Sequence, residues 1–269
     1  MHRAYVHGYD PRENERLQDQ AGSLVDLLHA DTNYAAGSLV LEAGCGVGAQ
    51  TVTLAQRSPG ARFTSVDISA ASVAAAQRAV DAARLTNVRF ERADIFALPF
   101  APASFDHVFV CFVLEHLPQP SAALAALEAV LKPGGTMTVI EGDHGSAYFH
   151  PDSAAARAAI ACQVELQRRA GGEAMIGRQL FPLMAASLQA VQVSPRMMYV
   201  DASRPGLADG FTRRTFTAMV EGVREPAITA GLATAAGFDA GIRALRRTAE
   251  AAGVFCYTFF KGVGRKRHS

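Results

Sequence analysis

The chain has 269 residues, 49% of them hydrophobic and 19% charged, enough to bury one sizeable core or one core with a helical insertion. Twenty-six Lys and Arg against 25 Asp and Glu leave a formal charge of +1, which argues against a strongly basic nucleic-acid binder and against an acidic disordered chain. The heaviest apolar run, Val108–Leu114, is far short of the roughly 20 residues that span a bilayer, and no apolar h-region follows Met1–Tyr5, so neither a membrane partner nor a secretory leader is expected. Cys45, Cys111, Cys162 and Cys256 lie far apart with no C-x-x-C pair and read as reduced thiols of a cytoplasmic protein.

In chain order, Tyr5, His7, Gly8 and Tyr9 form a glycine-hinged aromatic arm. Asp10-Pro11 then offers an N-cap and a first-turn proline to a helix whose buried face is Leu17, Ala21, Leu24, Val25 and Leu28. After Gly37, strands and helices alternate: strand Leu39–Ala43, a glycine turn Gly44–Gly48 opening a helix to Arg57, strand Arg62–Asp67, and a helix Ala70–Arg84 capped by Ser69. Strand Val88–Ala93, the apolar strand Phe105–Leu114, helix Ser121–Leu131 and strand Thr136–Glu141 complete the alternation, with Lys132-Pro133-Gly134-Gly135 between the last two. That order predicts an α/β fold, a parallel sheet covered on both faces. Beyond it the pattern loosens: helices over Asp152–Ala170 and Arg178–Leu188, a strand Val191–Val200, a broken helical stretch Gly206–Ala252, and a last β-rich strand Val254–Lys261. The basic tail Gly264–Ser269 reads as a solvated terminus.

The chemistry concentrates at strand ends. Glycines at 44, 46 and 48 let backbone approach a ligand, and the helix that follows presents its positive end to an anion. Asp67 ends the second strand, where a carboxylate can take both hydroxyls of a ribose, and Asp94 follows the third, placed for an adenine amino group. With these pieces, Glu42–Gly48, Val66-Asp67-Ile68-Ser69, Ala93-Asp94-Ile95, Phe105-Asp106-His107-Val108, Leu114-Glu115-His116-Leu117 and Leu131–Gly135, the chain resembles the class I S-adenosylmethionine-dependent methyltransferases, in that family's order across about residues 39–141. Glu141-Gly142-Asp143-His144-Gly145 and Phe255-Cys256-Tyr257-Thr258-Phe259-Phe260 resemble a bacterial and archaeal subgroup with members in natural-product pathways, indole C-methylation included.

The resemblance implies a doubly wound, mostly parallel seven-stranded Rossmann-like sheet. It divides the chain into a lid arm and helix (1–30), a cofactor-binding core (31–143) and acceptor-covering insertions with the last strands (144–269). It implies S-adenosylmethionine as cofactor, with the backbone of Gly44, Cys45 and Gly46 on its methionine part and Glu42 orienting that loop or the ammonium. Asp67 and Ile68 would hold ribose and adenine, Asp94 and Ile95 the adenine edge, and the Cys111 carbonyl the ammonium. The expected partner is a small, aromatic or apolar methyl acceptor, with no nucleic acid and no membrane, and a monomeric or homodimeric enzyme. The strand after Phe105 lacks the Asn/Asp-Pro-Pro-aromatic signature of base amino-methylating enzymes, and there is no paired-glutamate loop of the protein arginine type. Phe112 stands where a metal-binding branch has the first Glu of Glu-x-x-Glu-His, which disfavours a metal.

Three groups fall beyond the strand ends, where open α/β sheets bind ligands: Glu115 and His116; Glu141, Asp143 and His144; and the Tyr5–Tyr9 arm. His144 is the first choice as general base, its basicity supported by Asp143 or Glu141, with Glu141 in reserve and His116 a further candidate. Tyr5, Glu115 and His116 are candidates for acceptor contact, and Tyr9 for closing over the cofactor. The segments Tyr148–Ile176 and Gly206–Gly253 would cover the acceptor, and Met197, Met198 and Tyr199 suit an apolar pocket. Two other readings stay open: a nicotinamide-dependent oxidoreductase, although Ala49 stands where its third glycine belongs, and a cofactor-binding partner subunit without catalysis.

Overall fold

A computed structural model describes residues 24–268. Helix α1 (described over residues 24–29) leads to strand β1 (Leu39–Ala43), α2 (Ala49–Arg57), β2 (Arg62–Asp67), α3 (Ala70–Ala82), β3 (Val88–Arg92) and β4 (Phe105–Cys111). A 3-10 turn at Leu114–His116, α4 (Pro120–Val130) and β5 (Leu131–His150) follow, then α5 (Ala154–Arg169), α6 (Leu180–Ala185) and β6 (Gln189–Val200). Broken helix fills residues 205–229, and a helix over Ala235–Arg247 precedes β7 (Val254–Arg265).

The seven strands form one sheet in the order β3-β2-β1-β4-β5-β7-β6. The pairings β3·β2, β2·β1, β1·β4 and β4·β5 are parallel. β1 and β4 are apolar runs because they lie inside the sheet with both faces covered: Val40, Leu41, Val108, Phe109 and Val110 are all fully buried. The helices start where their residues dictate. Ser69 accepts a hydrogen bond from Ser72 N–H at the head of α3, and Pro120 occupies the first turn of α4, where a missing N–H costs nothing.

Several expected boundaries move, each for a local reason. β4 ends at Cys111 instead of running to Leu114, because Phe112 takes a positive φ of 57° that turns the chain out of the strand. β5 begins at Leu131 and runs on to His150, well past Glu141. At its start Phe105 pairs with Leu131 and His107 already pairs with Thr136, so Lys132-Pro133-Gly134-Gly135 bulges out of register. Gly135 is needed there, since a Cβ would lie 2.7 Å from the Asp106 carbonyl oxygen. The expected helix Arg178–Leu188 is a 3-10 turn, Ile176–Gln179, followed by the short α6.

By its contacts the chain falls into two compact units. One comprises Leu24–Gly142, Ile176–Arg196 and the residues from Phe260 on; the other includes Asp143–Met175 and Met197–Phe259. The core of the first unit joins Leu41, Val66, Val108, Val110, Leu124, Leu127 and Met137 with Ile176, Leu180 and Met184. In the second, α5 packs on the helix Ala235–Arg247, and an aromatic cluster gathers Phe211, Phe216, Phe255, Tyr257 and Phe259.

Candidate active site

Parallel register sets the site's level in the first unit. Ala43 pairs with Val66 and with Val110, Asp67 with Arg92, and Cys111 with Ile140. Gly44, Asp67 and Cys111 therefore end neighbouring strands at one height, with Glu141 one residue beyond. A cleft lined by Ser38, Asp106, His107 and Lys132 lies at the opposite, amino ends of the strands.

The glycine turn is wound left-handed, with φ of 77° at Gly44, 52° at Gly46 and 83° at Gly48. The N–H groups of Gly44 and Cys45 donate to the Val66 carbonyl at 2.8 and 2.9 Å, and that of Gly46 to Asp67 Oδ2 at 2.9 Å. These donors, expected to face a ligand, are thus engaged with β2. The turn instead offers room: a Cβ on Gly46 would meet nothing within 4 Å, whereas one on Gly44 would collide with Val113. The N-terminus of α2 behind it carries no side-chain cap.

Asp67 holds the turn and the next helix together. Its Oδ2 takes Gly46 N–H and its Oδ1 takes Ser69 N–H at 2.8 Å, while burial raises its pKa against those hydrogen bonds. A carboxylate has about four acceptor sites, so Asp67 can take a further donor beside its backbone partners Gly46, Ile68 and Ser69. Ile68 beside it is exposed, an apolar surface at the strand end, whereas Ile95 is buried in the core. Asp94 Oδ1 accepts from Phe96 N–H at 3.0 Å.

Two buried acids brace the site from within. Glu42 Oε2 accepts from Thr51 Oγ1 at 2.7 Å and from Ser65 Oγ at 2.6 Å, and burial lifts its carboxyl up to about 7 despite both hydroxyls. It ties β1 to α2 and β2; Thr51 and Ser65, which do the holding, carry no motif that singles them out. Glu141 Oε1 accepts from the N–H groups of Val113 and Leu114 at 3.0 and 2.7 Å, fastening the turn after β4. Burial and the nearby Glu115 push its pKa well above its ordinary value. Cys111 is buried too, and its thiol is pushed far up by burial. His116 Nε2 lies 3.6 Å from Glu115 Oε1.

His144 and Asp143 belong to the second unit. His144 is buried, with Nδ1 2.7 Å from the Tyr257 hydroxyl, its own N–H on the Ala174 carbonyl, and its ring edge-on to Phe216. Tyr257, which sequence reasoning used only as a family marker, is its hydrogen-bond partner. Asp143 Oδ1 accepts from Gly145 N–H at 3.0 Å. Met197 and Tyr199 are exposed, and Met198 between them is buried. Tyr5 and Tyr9, with the arm that carries them, lie outside the described residues.

A family model described as "Methyltransferase domain" matches residues 40–135, the stretch from β1 to the bulge before the main run of β5. Trans-aconitate 2-methyltransferase of Deinococcus radiodurans is 37% identical over 139 residues, 51% of this chain and 48% of that protein. The chain spans 24% to 54% of the length of the first curated relatives it matches. Among solved structures, phosphoethanolamine N-methyltransferase 2 of Haemonchus contortus, in complex with S-adenosylhomocysteine, superposes with a TM-score of 0.56 at 16% identity, covering 93% of this chain and 53% of that one. The [4+2]-cyclase SpnF superposes at 0.55 and 19%, covering 93% and 82%. These likenesses show the fold, the seven-stranded Rossmann-like fold of class I methyltransferases.

Proposed function

We propose that the protein is an S-adenosylmethionine-dependent methyltransferase acting on a small molecule, a reading that starts from the match of residues 40–135 to the methyltransferase-domain family model. The observation that carries the reading is the level row at the strand ends: an open glycine turn at Gly46, the Asp67 carboxylate with lone pairs to spare, and exposed Ile68. That set fits the cofactor, with Gly46 beside the methionyl chain, Asp67 on the ribose hydroxyls and Ile68 against the adenine; Asp94 and Ile95 would bound the adenine, and the Cys111 carbonyl would face the ammonium. When bound, the cofactor supplies an electrophilic methyl group that the acceptor's nucleophile displaces in line.

The chain's own residues hold and deprotonate. Glu42 and Glu141 keep the two strand-end loops rigid, which is how an enzyme of this class gains rate, by fixing reactants at near contact. His144 takes the acceptor's proton, in the tautomer whose Nδ1–H donates to the Tyr257 oxygen and leaves Nε2 basic. The acceptor is an aromatic or apolar molecule of natural-product type, methylated at carbon, oxygen or nitrogen, with C-methylation as of an indole the form suggested by Glu141–Gly145 and by the aromatic cluster around Phe255–Phe260. Four free, buried cysteines suit a cytoplasmic setting. The fold by itself does not decide the chemistry, as the cyclase with the same architecture illustrates.

Calorimetry with S-adenosylhomocysteine tests the cofactor. The protein binds it, and Asp67→Ala weakens binding by about 1–3 kcal/mol through lost charged hydrogen bonds. Binding of NAD in its place, or no binding, overturns the reading. For the base, His144→Asn lowers kcat by about 10²–10⁴-fold and leaves S-adenosylhomocysteine affinity unchanged. An unaltered kcat removes His144 from the chemistry.

A further inference from the structure

Ten residues of the second unit, Ala208–Thr217, are wound as π-helix, and the Ala218 N–H that follows donates to the Arg213 carbonyl five residues back. The sequence there, Phe211-Thr212-Arg213-Arg214-Thr215-Phe216-Thr217, repeats Phe-Thr at an interval of five. In an α-helix such residues point about 140° apart; i→i+5 winding stacks them one turn above the other. Phe211 and Phe216 accordingly both reach the same partners, with ring centroids 6.1 and 4.7 Å from Phe255 and 5.9 and 5.4 Å from Tyr257.

Thr212 and Thr217 stack the same way on the adjoining face. Both are buried, at 0% and 1% exposure, and neither Oγ1 has a hydrogen-bond partner among the described residues. Thr215, between them, behaves as helical threonines do and donates to the Gly210 carbonyl at 2.9 Å. A buried hydroxyl without a partner is costly, and a helix always offers a carbonyl one turn back. Two that leave it unused, one turn apart on a winding often found at functional sites, are groups kept for a ligand. The segment's cations are directed elsewhere: Arg213 to the Ala249 carbonyl and Arg214 to Asp209. A carboxylate or phosphate would go uncompensated against two hydroxyls, so the ligand's polar group is uncharged.

We propose that Thr212 and Thr217 form a binding site for the uncharged polar group, a phenol, alcohol or ketone oxygen, of an otherwise apolar small molecule; the ligand class rests on the hydroxyls alone.

Ligand-observed NMR titration with p-cresol and toluene, which differ by one hydroxyl, tests it. The wild-type protein binds p-cresol about tenfold more tightly than toluene. Thr212→Val/Thr217→Val loses that preference, keeps its affinity for toluene, and melts no lower than wild type because no internal bond is lost. Thr212→Ser/Thr217→Ser retains the preference, and Thr215→Val lowers Tm. Equal binding of both probes by the wild type, a preference that survives the double valine variant, or a double variant that melts lower or misfolds would each overturn the site. If the p-cresol pattern holds while the wild type fails to bind S-adenosylhomocysteine, the site stands and the methyltransferase reading falls.

Discussion

Glu42 and Glu141 show how an acid in an apolar strand becomes part of a scaffold. Both are enclosed, and each spends one oxygen on two protein donors. Their placement near the site is readable in the sequence, because a carboxyl inside a buried strand has to serve something. Which way the group faces is not readable, since that depends on donors brought in from β2, α2 and the turn after β4. Glu42 makes a pH test. Its folded pKa of about 7 lies above the usual carboxyl value of 4.5, so between those pH values the folded state keeps a proton the unfolded chain has released. Stability therefore falls as pH rises through that window, by roughly 3 kcal/mol in all, and levels off above it. Glu42→Gln, a neutral match for the protonated acid, should flatten the loss of Tm between pH 5 and 8. A variant as pH-sensitive as wild type would show that another group carries the effect.

At the scale of elements, local propensity and packing sometimes oppose each other. Gly241 sits inside the helix Ala235–Arg247, where glycine costs about 1 kcal/mol relative to alanine. The pairing with α5 requires it: a Cβ would lie 2.6 Å from the Ala155 carbonyl oxygen and 2.8 Å from the Ala159 Cβ. Both obstacles are close to backbone and cannot swing aside. Gly241→Ala should thus lower stability by about 1–3 kcal/mol, read as a lower denaturant midpoint, despite its better helix propensity. A higher midpoint would mean that the two helices can separate without cost. The same opposition explains residues 205–229, where sequence periodicity shows only a helix with breaks. The winding over Ala208–Thr217 is π, and Phe211 and Phe216 of the Phe-Thr repeat meet the same aromatic partners, Phe255 and Tyr257.

For the molecule as a whole, order in the sheet departs from order in the chain. β7, the last strand made, lies inside the sheet between β5 and β6. Its Lys261 is buried and ties it to the beginning of the described chain: Nζ donates to Asp31 Oδ1 and Thr32 Oγ1, both at 2.6 Å, and to the Leu28 carbonyl. A chain ending at Gly253 would leave β5 and β6 without their shared neighbour and Asp31 with Arg196 alone of its two cations. It should show no cooperative thermal transition, whereas removal of only the residues after Arg265 should leave one. A truncated chain that melts cooperatively would show that β7 is dispensable. Lys261→Met should cost about 3 kcal/mol, less what half-exposed Asp31 recovers from water.

The sequence by itself determined the elements from Leu39 to the bulge before β5, the turn that carries the glycines, and the acids at the strand ends. Those are local matters: period-two or continuous apolar runs, caps such as Ser69, and glycines where φ must be positive. Only the tertiary structure decided the length of β5, the central position of β7, the interleaving of two units, and the partners of Glu42, Glu141 and His144. Each of those depends on residues far apart in the chain, Tyr257 on His144 and Leu114 on Glu141 among them. Spacing along a sequence encodes which face a side chain occupies, but not which distant group will be there to meet it.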